Sequence, residues 1–365
     1  MKKLISLLVI VFIGVIITSC FRERLYVLSW FDYISKDVIK EFQKEYNVKV
    51  VIVEAKSNEE MYQFIKTRAG RYDVVVPSDY MVEKLYSEDL LKEIQYDKLS
   101  NYAYENFDVE LESIIEEMFD EVHEYAIPYF WGSLGIMYNT NKSGLKNMIE
   151  ANGFKMFFES NLATPYVGRI GMYDSSRDAI ATTQIYLGND VNMDLSLSEN
   201  TSVYNAVKDT LTRVKYQWGT EDLKMKVAAG NLDYALVYSG DFFDMMYSYL
   251  DNKNTINFDM YVPNDNNIWC DFMAIPITSA QDELAHAFIN FFLDFDNAVD
   301  NALDIGYCPT QILVYEKVVE VGEPKIYNHP SYYPGCVSGK KYIYKHIGKQ
   351  GTDAFEEIYK VARQS

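Results

Sequence analysis

From Leu25 onward the chain alternates at short intervals between β-branched runs and amphipathic runs, and this rhythm restricts the fold more than any other feature. LYVLSW reads as a strand. Residues 36–46 follow with Val38, Ile39, Phe42 and Tyr46 at helical spacing, and VKVVIVEA is a second strand. In SNEEMYQFIKTR, Ser57 and Glu60 stand at capping-box spacing ahead of a helix that turns Met61, Phe64 and Ile65 inward. YDVVVPS is then a strand ending at Ser78, with Asp79 opening a short helix. Such a series packs as an α/β lobe on a mainly parallel sheet.

A segment rich in acids and tyrosine, 93–124, leads to AIPYFWGSLGIMYN, an apolar strand that crosses out of the first lobe. A second alternation follows: RIGMYD as strand, SRDAIATTQIYLG as helix, TSVYNAVKDTLTRVKYQW as a long amphipathic helix, and NLDYALVYSG as strand. NFDMYVPNDNNIWCDFMAIP reads as strand, hairpin and strand, with PNDNN as the turn. Two helices, a loop-rich 307–340 and a last helix TDAFEEIYKVAR complete the chain. At 365 residues this is comfortable as two lobes, because single cores stop growing near roughly 250 to 300 residues. Without repeats or a flexible linker, the lobes are expected to be joined by crossover strands, which suits a hinge.

Residues 1–19, MKKLISLLVIVFIGVIITS, have two lysines, a long apolar run and small residues just before Cys20. That pattern reads as an export leader, and ITSC resembles a bacterial lipobox, which would make Cys20 a lipid anchor. Removing the leader deletes Lys2 and Lys3 and no acid, so the charge moves from −19 to −21. So acidic a surface repels nucleic acid and anionic lipid and attracts cations. With Cys20 lipidated, Cys270, Cys308 and Cys336 are an odd set rather than a disulfide framework, although one pair stays open to an exported chain.

Ligands of open α/β sheets bind outside the carboxyl ends of strands, and here those ends share one chemistry. The first strand ends in Trp30, Asp32 and Tyr33, and VPSDY supplies Ser78 and Tyr80. RIGMYD is followed by Ser175 and Asp178, YALVYSG gives Tyr238, and NIWCDF gives Trp269 and Asp271, while Tyr307, in DIGYCPT, follows a helix. Taken alone, Trp30 and Phe31 read as core and Asp32 as a helix cap; core packing, however, has no need of a carboxylate beside an aromatic at one strand end after another. An ammonium donates charge-assisted hydrogen bonds to Asp and is attracted to ring faces by cation–π interaction, and the methylenes between ammoniums gain about 0.8 kcal/mol each on burial.

The run LYVLSWFDYISKDVIKEFQKEYNVKVVIVEAKSNEEMY, with YDVVVPSDY, AIPYFWG, DSSRD, IWCDFMAIP and IGYCPT, resembles the spermidine/putrescine-binding proteins of bacterial polyamine ABC transporters, in the family's order from Leu25 to the last helix. The resemblance implies a type II periplasmic-binding fold, two α/β lobes closing on one polyamine, no catalysis and no cofactor. It implies lobe 1 over residues 24–129 and 272–312, and lobe 2 over 130–271 and 313–365. The implied stacking aromatics are Trp30, Tyr33, Tyr80, Tyr238, Trp269 and Tyr307, and the polar partners Asp32, Ser78, Asp178 and Asp271. Tyr238 stands where the family usually has Trp, and Ser175 where it has a second acid; Asp174 could swing in to replace that acid. Lys345 aligns with a family glutamine at the cleft, where a lysine would repel an ammonium. The implied partners are a polyamine, the permease subunits and, through the lipid, a membrane, for a monomer on the periplasmic side or the cell surface.

Other classes find little support in the residues. His123, His286, His329 and His346 have no metal-ligand spacing, GCVSGKK is one residue short of a phosphate-binding loop, and there is no G-x-S-x-G. Asp32 and Asp271 could in principle serve as an acid and base pair. A surface lipoprotein that binds another cationic solute, or a protein partner through its acidic, Tyr-rich segment 93–124, is the remaining alternative.

Overall fold

The computed structural model describes residues 23–67 and 70–365. The leader and Cys20 lie outside the described residues.

Eleven strands form one curled sheet with two parallel ends and an antiparallel middle. In the first half β1 (Arg24–Ser29) pairs in parallel with β2 (Lys49–Glu54) on one side and with β3 (Val74–Val75) on the other. The long strand β4 (Ala126–Asn139) then leaves for the second half, where β5 (Ile170–Tyr173) runs parallel to both β6 (Gln217–Gly219) and β7 (Tyr234–Tyr238). β8 (Phe258–Tyr261) and β9 (Asn266–Ala274) return toward the first half, and β10 (Cys308–Pro309) and β11 (Lys341–Tyr342) are short additions. The order is β2-β1-β3-β9-β4-β7-β5-β6. Both β4 and β9 are buried along their whole length, as continuous apolar runs covered on two faces must be.

Helix starts follow local chemistry. Ser57 Oγ accepts from Glu60 N at 3.1 Å while Glu60 Oε2 accepts from Lys56 N at 2.7 Å, a capping box displaced by one residue at its return bond. The first helix, Lys36–Glu45, is capped by Ser35 and not by Asp32, which sits one turn earlier at φ 44°. Phe31, a core candidate when read alone, is 72% exposed.

Three sequence expectations change in the fold. The run to Trp218 is not one long helix: Thr201–Leu211 ends, and Gln217–Gly219 joins the sheet beside β5, because pairing with a strand edge outweighs helical periodicity. PNDNN is not a hairpin turn. β8 and β9 both lie antiparallel to β4, on Ile136–Asn139 and Ala126–Ser133 respectively, so the segment is a break along one strand path, with Asp265 at φ 51° in the break. Finally, Ile312–Val321 packs on Phe295–Ile305 and on β10, among first-half elements, past the position at which the sequence reading turned to the second lobe. The last helix, Gly348–Gln364, packs on Ser176–Leu187 and Thr201–Leu211 in the second half, and Tyr344 just before it packs on Ala181 and Val191.

The register also answers the cysteine question. Cys270 and Cys308 face Trp131 from opposite edges of β4. Two strand spacings, about 9.6 Å, exceed the reach of a disulfide. Cys270, Cys308 and Cys336 are all free.

At the crossing of the two lobes Gly132 lies under the indole of Trp269: a Cβ there would come 2.3 Å from Trp269 Cζ2 and 2.7 Å from Ser239 Oγ. Gly132→Ala should therefore displace the indole and destabilise the protein by about 1 to 3 kcal/mol. Urea unfolding followed by tryptophan emission will show it as a lower midpoint together with a shifted native spectrum.

Candidate functional site

Strand alternation places Trp269 and Asp271 on one face of β9 and Cys270 on the other. Across from Asp271 runs Phe130 of β4, and an isolated bridge joins it to Ser78 at the end of the β3 segment. The carboxylate of Asp271 is thus delivered to the seam between the lobes by the sheet itself. Its Oδ2 accepts a 2.7 Å hydrogen bond from the Tyr33 hydroxyl. Its Oδ1 is buried and has no partner among the described residues. Burial pushes this carboxyl up to about 6, against the pull of the Ser78 and Tyr33 hydroxyls. A residue 5% exposed, with no protein cation on it, is an open half of an ion pair.

Opposite stands Asp178 at the start of Ser176–Leu187. Ser175 caps this helix, its Oγ accepting from Asp178 N at 3.3 Å. Asp178 Oδ1 accepts from Tyr238 at 2.7 Å and from Tyr344 at 3.0 Å, and burial raises the carboxyl above its ordinary value. Ser175 is therefore the cap of this helix. Asp174 cannot stand in for it, because it points away to the Tyr359 hydroxyl and to Arg363 Nε at 3.3 Å in the last helix.

Aromatic rings wall the space between the two carboxylates. Tyr307 lies edge-on to Tyr33 at 5.1 Å and to Trp269 at 5.8 Å, and Trp269 meets Tyr238 at 6.2 Å and 90°. Gly240 admits the Tyr307 ring, since a Cβ there would come 1.7 Å from Tyr307 Cε1. Tyr80 reaches across to Ala181, Val191 and Tyr344 of the second lobe while donating its hydroxyl to Glu59 at 3.0 Å. Trp30 is half-buried, and its indole N–H, like that of Trp269, has no protein acceptor among the described residues. The lobes are shut on each other, as the bond from His346 N to Glu83 Oε2 at 2.6 Å shows.

Asp32, singled out in the sequence, stands apart from this cluster. It is 56% exposed and paired at 2.9 Å with Lys36, one turn on in the same helix start. Lys345 does not present its ammonium to Asp178 either. Its backbone bonds Asn192 and Arg177, and the neighbouring Tyr344 supplies the hydroxyl that reaches Asp178.

Sequence reasoning missed two buried charges. Asp79, at the N terminus of Asp79–Ser87, turns inward to accept from Tyr80 N at 2.7 Å and Cys270 N at 3.4 Å, and burial raises its carboxyl well above the ordinary range. Arg177 covers the Tyr344 ring at 4.4 Å, and its Nε and Nη1 are buried without acceptors. Arg177 acts on Asp79 across the lobes and also on its neighbour Asp178, and among the described residues neither Asp178 nor Asp271 has a cation in ion-pair contact. A cavity of about 20 Å³ beside Tyr129, Asn301 and Thr310 has room for about one water and lies behind Tyr33 in the first-lobe core, away from the paired carboxylates. Among the described residues no group of His, Cys, Asp and Glu is arranged to hold a metal, and no helix is long and apolar enough to cross a membrane.

The sequence profile of the bacterial extracellular solute-binding proteins matches residues 37–320. The spermidine/putrescine-binding periplasmic protein of Escherichia coli is 27% identical over 341 residues, covering 93% of this chain and 91% of that one. A putrescine-binding periplasmic protein of Pseudomonas aeruginosa is 27% identical over 278 residues, 74% of either chain. Among solved structures, the spermidine/putrescine ABC transporter substrate-binding protein PotD of Streptococcus pneumoniae superposes with a TM-score of 0.75 at 26% identity, covering 93% of this chain and 99% of that one.

Asp271 carries a prediction of its own. Its folded carboxyl keeps its proton up to about pH 6, whereas the ordinary value is 3.8, so ionising it in place destabilises the ligand-free chain as pH rises through that window. Asp271→Asn should then stabilise the ligand-free protein at pH 7 by about 1 to 3 kcal/mol and give little gain at pH 4. Paired urea titrations at the two pH values measure the difference.

Proposed function

The chain belongs to the bacterial extracellular solute-binding proteins, and on that premise we propose that it is the receptor of an ABC importer, capturing a polyamine, putrescine or spermidine, between its lobes and passing it to the membrane permease subunits. The observation that carries this reading is the open oxygen of Asp271, a buried carboxylate facing aromatic rings with no protein cation to pair it. An ammonium there gains a charge-assisted bond to Oδ1 and the faces of Tyr33, Trp269 and Tyr307, and Asp178 with Tyr238 takes the other end. The protein binds and releases; in this reading it performs no chemistry on its ligand and needs no cofactor. Cys20 with its lipid would hold the monomer at the outer face of a membrane.

Closure follows from where the two carboxylates stand. Asp271 lies on a strand shared by the lobes and Asp178 on a second-lobe helix, so a dication meets both only when the cleft is shut, and its differential affinity for the shut form sets the population shift. A second reading has one observation in its favour. The unpartnered Nε and Nη1 of Arg177 would suit a cation that also carries an acceptor, such as a basic amino acid.

Calorimetric titration with putrescine, cadaverine, spermidine, spermine, lysine and arginine separates the two. Tight one-to-one binding of an unsubstituted amine supports the polyamine receptor, preference for lysine or arginine supports the second reading, and no binding by any of the six removes both. Asp271→Asn should weaken the bound amine by about 2 to 5 kcal/mol. Asp32→Asn should change it by less than about 1 kcal/mol, because Asp32 is exposed and already paired with Lys36.

A further inference from the structure

Behind Tyr307 the second lobe holds a group of charges that the paired carboxylates do not involve. Lys224, on Glu221–Ala228, is 10% exposed and lies 2.6 Å from Glu221 Oε2, 2.8 Å from Asp244 Oδ2 and 3.3 Å from Asp241 Oδ1. Asp241 is itself buried and stands three residues after Tyr238, next to the Gly240 that seats the Tyr307 ring. The cluster borders the cleft through two tyrosines. Tyr307, seated on Gly240, lies within the fields of Asp241, Glu221 and Asp271, and Tyr173, edge-on to Tyr238 at 5.0 Å, lies within those of Asp241 and Asp178. An ammonium held by aromatic rings and a buried carboxylate is what this cleft is built to receive, and at Asp241 the protein supplies that ammonium itself.

We propose that Lys224 is a specificity-determining residue: its ammonium occupies the carboxylate set at Asp241 that a longer polyamine would reach with an additional charge, so the cleft is left with two free carboxylates, Asp178 and Asp271, and selects diamines over triamines. The inference rests on the polyamine reading above and narrows it. Charge balance supports it. Around the cleft Asp79, Asp178 and Asp271 share one internal cation, Arg177, while Lys224 answers Asp241, so two negative charges remain for a ligand with two positive ones. A third ammonium arriving near Tyr307, which rests on Gly240 beside Asp241, would find that buried acid already taken by Lys224.

The test compares putrescine, cadaverine, spermidine and spermine by calorimetry on the intact protein and on Lys224→Met, which keeps the length of the stem and removes the charge. The wild-type protein should bind a diamine at least tenfold more tightly than spermidine, and Lys224→Met should raise the spermidine-to-putrescine affinity ratio at least tenfold. Lys224→Arg keeps a cation beside Asp241 and should keep the wild-type order. A wild-type preference for spermidine, or a ratio that moves less than threefold in a folded Lys224→Met, overturns the proposal while leaving the polyamine reading in place. Absence of any amine binding by the wild type would instead remove the reading on which it rests. Should Lys224→Met fail to fold, wild-type affinities across unbranched diamines of increasing length decide: a fall once the second ammonium is carried past Asp178 toward Lys224 supports it, and a continued rise overturns it.

Discussion

A single carboxylate kept out of water on a strand that two lobes share is the constraint around which this molecule is arranged. Asp271 reaches the seam because β9 belongs to both halves of the sheet, and it stays half-paired because Tyr33 satisfies Oδ2 and nothing described satisfies Oδ1. Such a group opposes folding unless a cation joins it. The rings of Tyr33, Trp269 and Tyr307 exclude water from its surroundings, which raises both the penalty when the cleft is unliganded and the gain when a cation arrives.

The other buried charges show how selectively that opening has been left. Asp79 is tied to backbone N–H groups and balanced by Arg177 across the cleft, Asp32 is matched by Lys36, and Asp241 is matched by Lys224. The exposed pair contributes little to stability, whereas the buried ones are held by geometry that a single deletion would leave uncompensated. In a chain with a formal charge of −19, placing internal cations beside chosen acids separates the carboxylates that merely repel from those that bind.

How much of this was legible differs from residue to residue. Tyr33, Ser78, Asp178 and Tyr238 stand at or past strand ends, where α/β sheets bind ligands, whereas Trp269 and Asp271 lie in the middle of β9 and Tyr307 just ahead of β10, so that only the pairing of aromatic and acid in the sequence picks these three out. The structure brings these seven together. Asp79 escaped notice because a carboxylate at a helix start reads as an ordinary cap, and its inward turn depends on Cys270 N approaching from a strand 191 residues away. Arg177 and Lys224 escaped because the sequence does not show which charged helix residue faces another element. Tyr344 escaped because it stands in a loop-rich stretch without periodicity.

The sequence by itself determined the alternation of strands and helices, the aromatic and acidic character of the strand ends, and so the class of cation the chain suits, because these are properties of local pattern and side-chain chemistry. Only the tertiary structure decided which acids remain unpaired. It also decided that β8 and β9 follow one path along β4 instead of folding back, and that Ser175 caps a helix while Tyr344 meets Asp178. Those outcomes depend on distances between residues far apart in the chain, and ion pairing falls off so steeply with distance and burial that composition cannot foretell it.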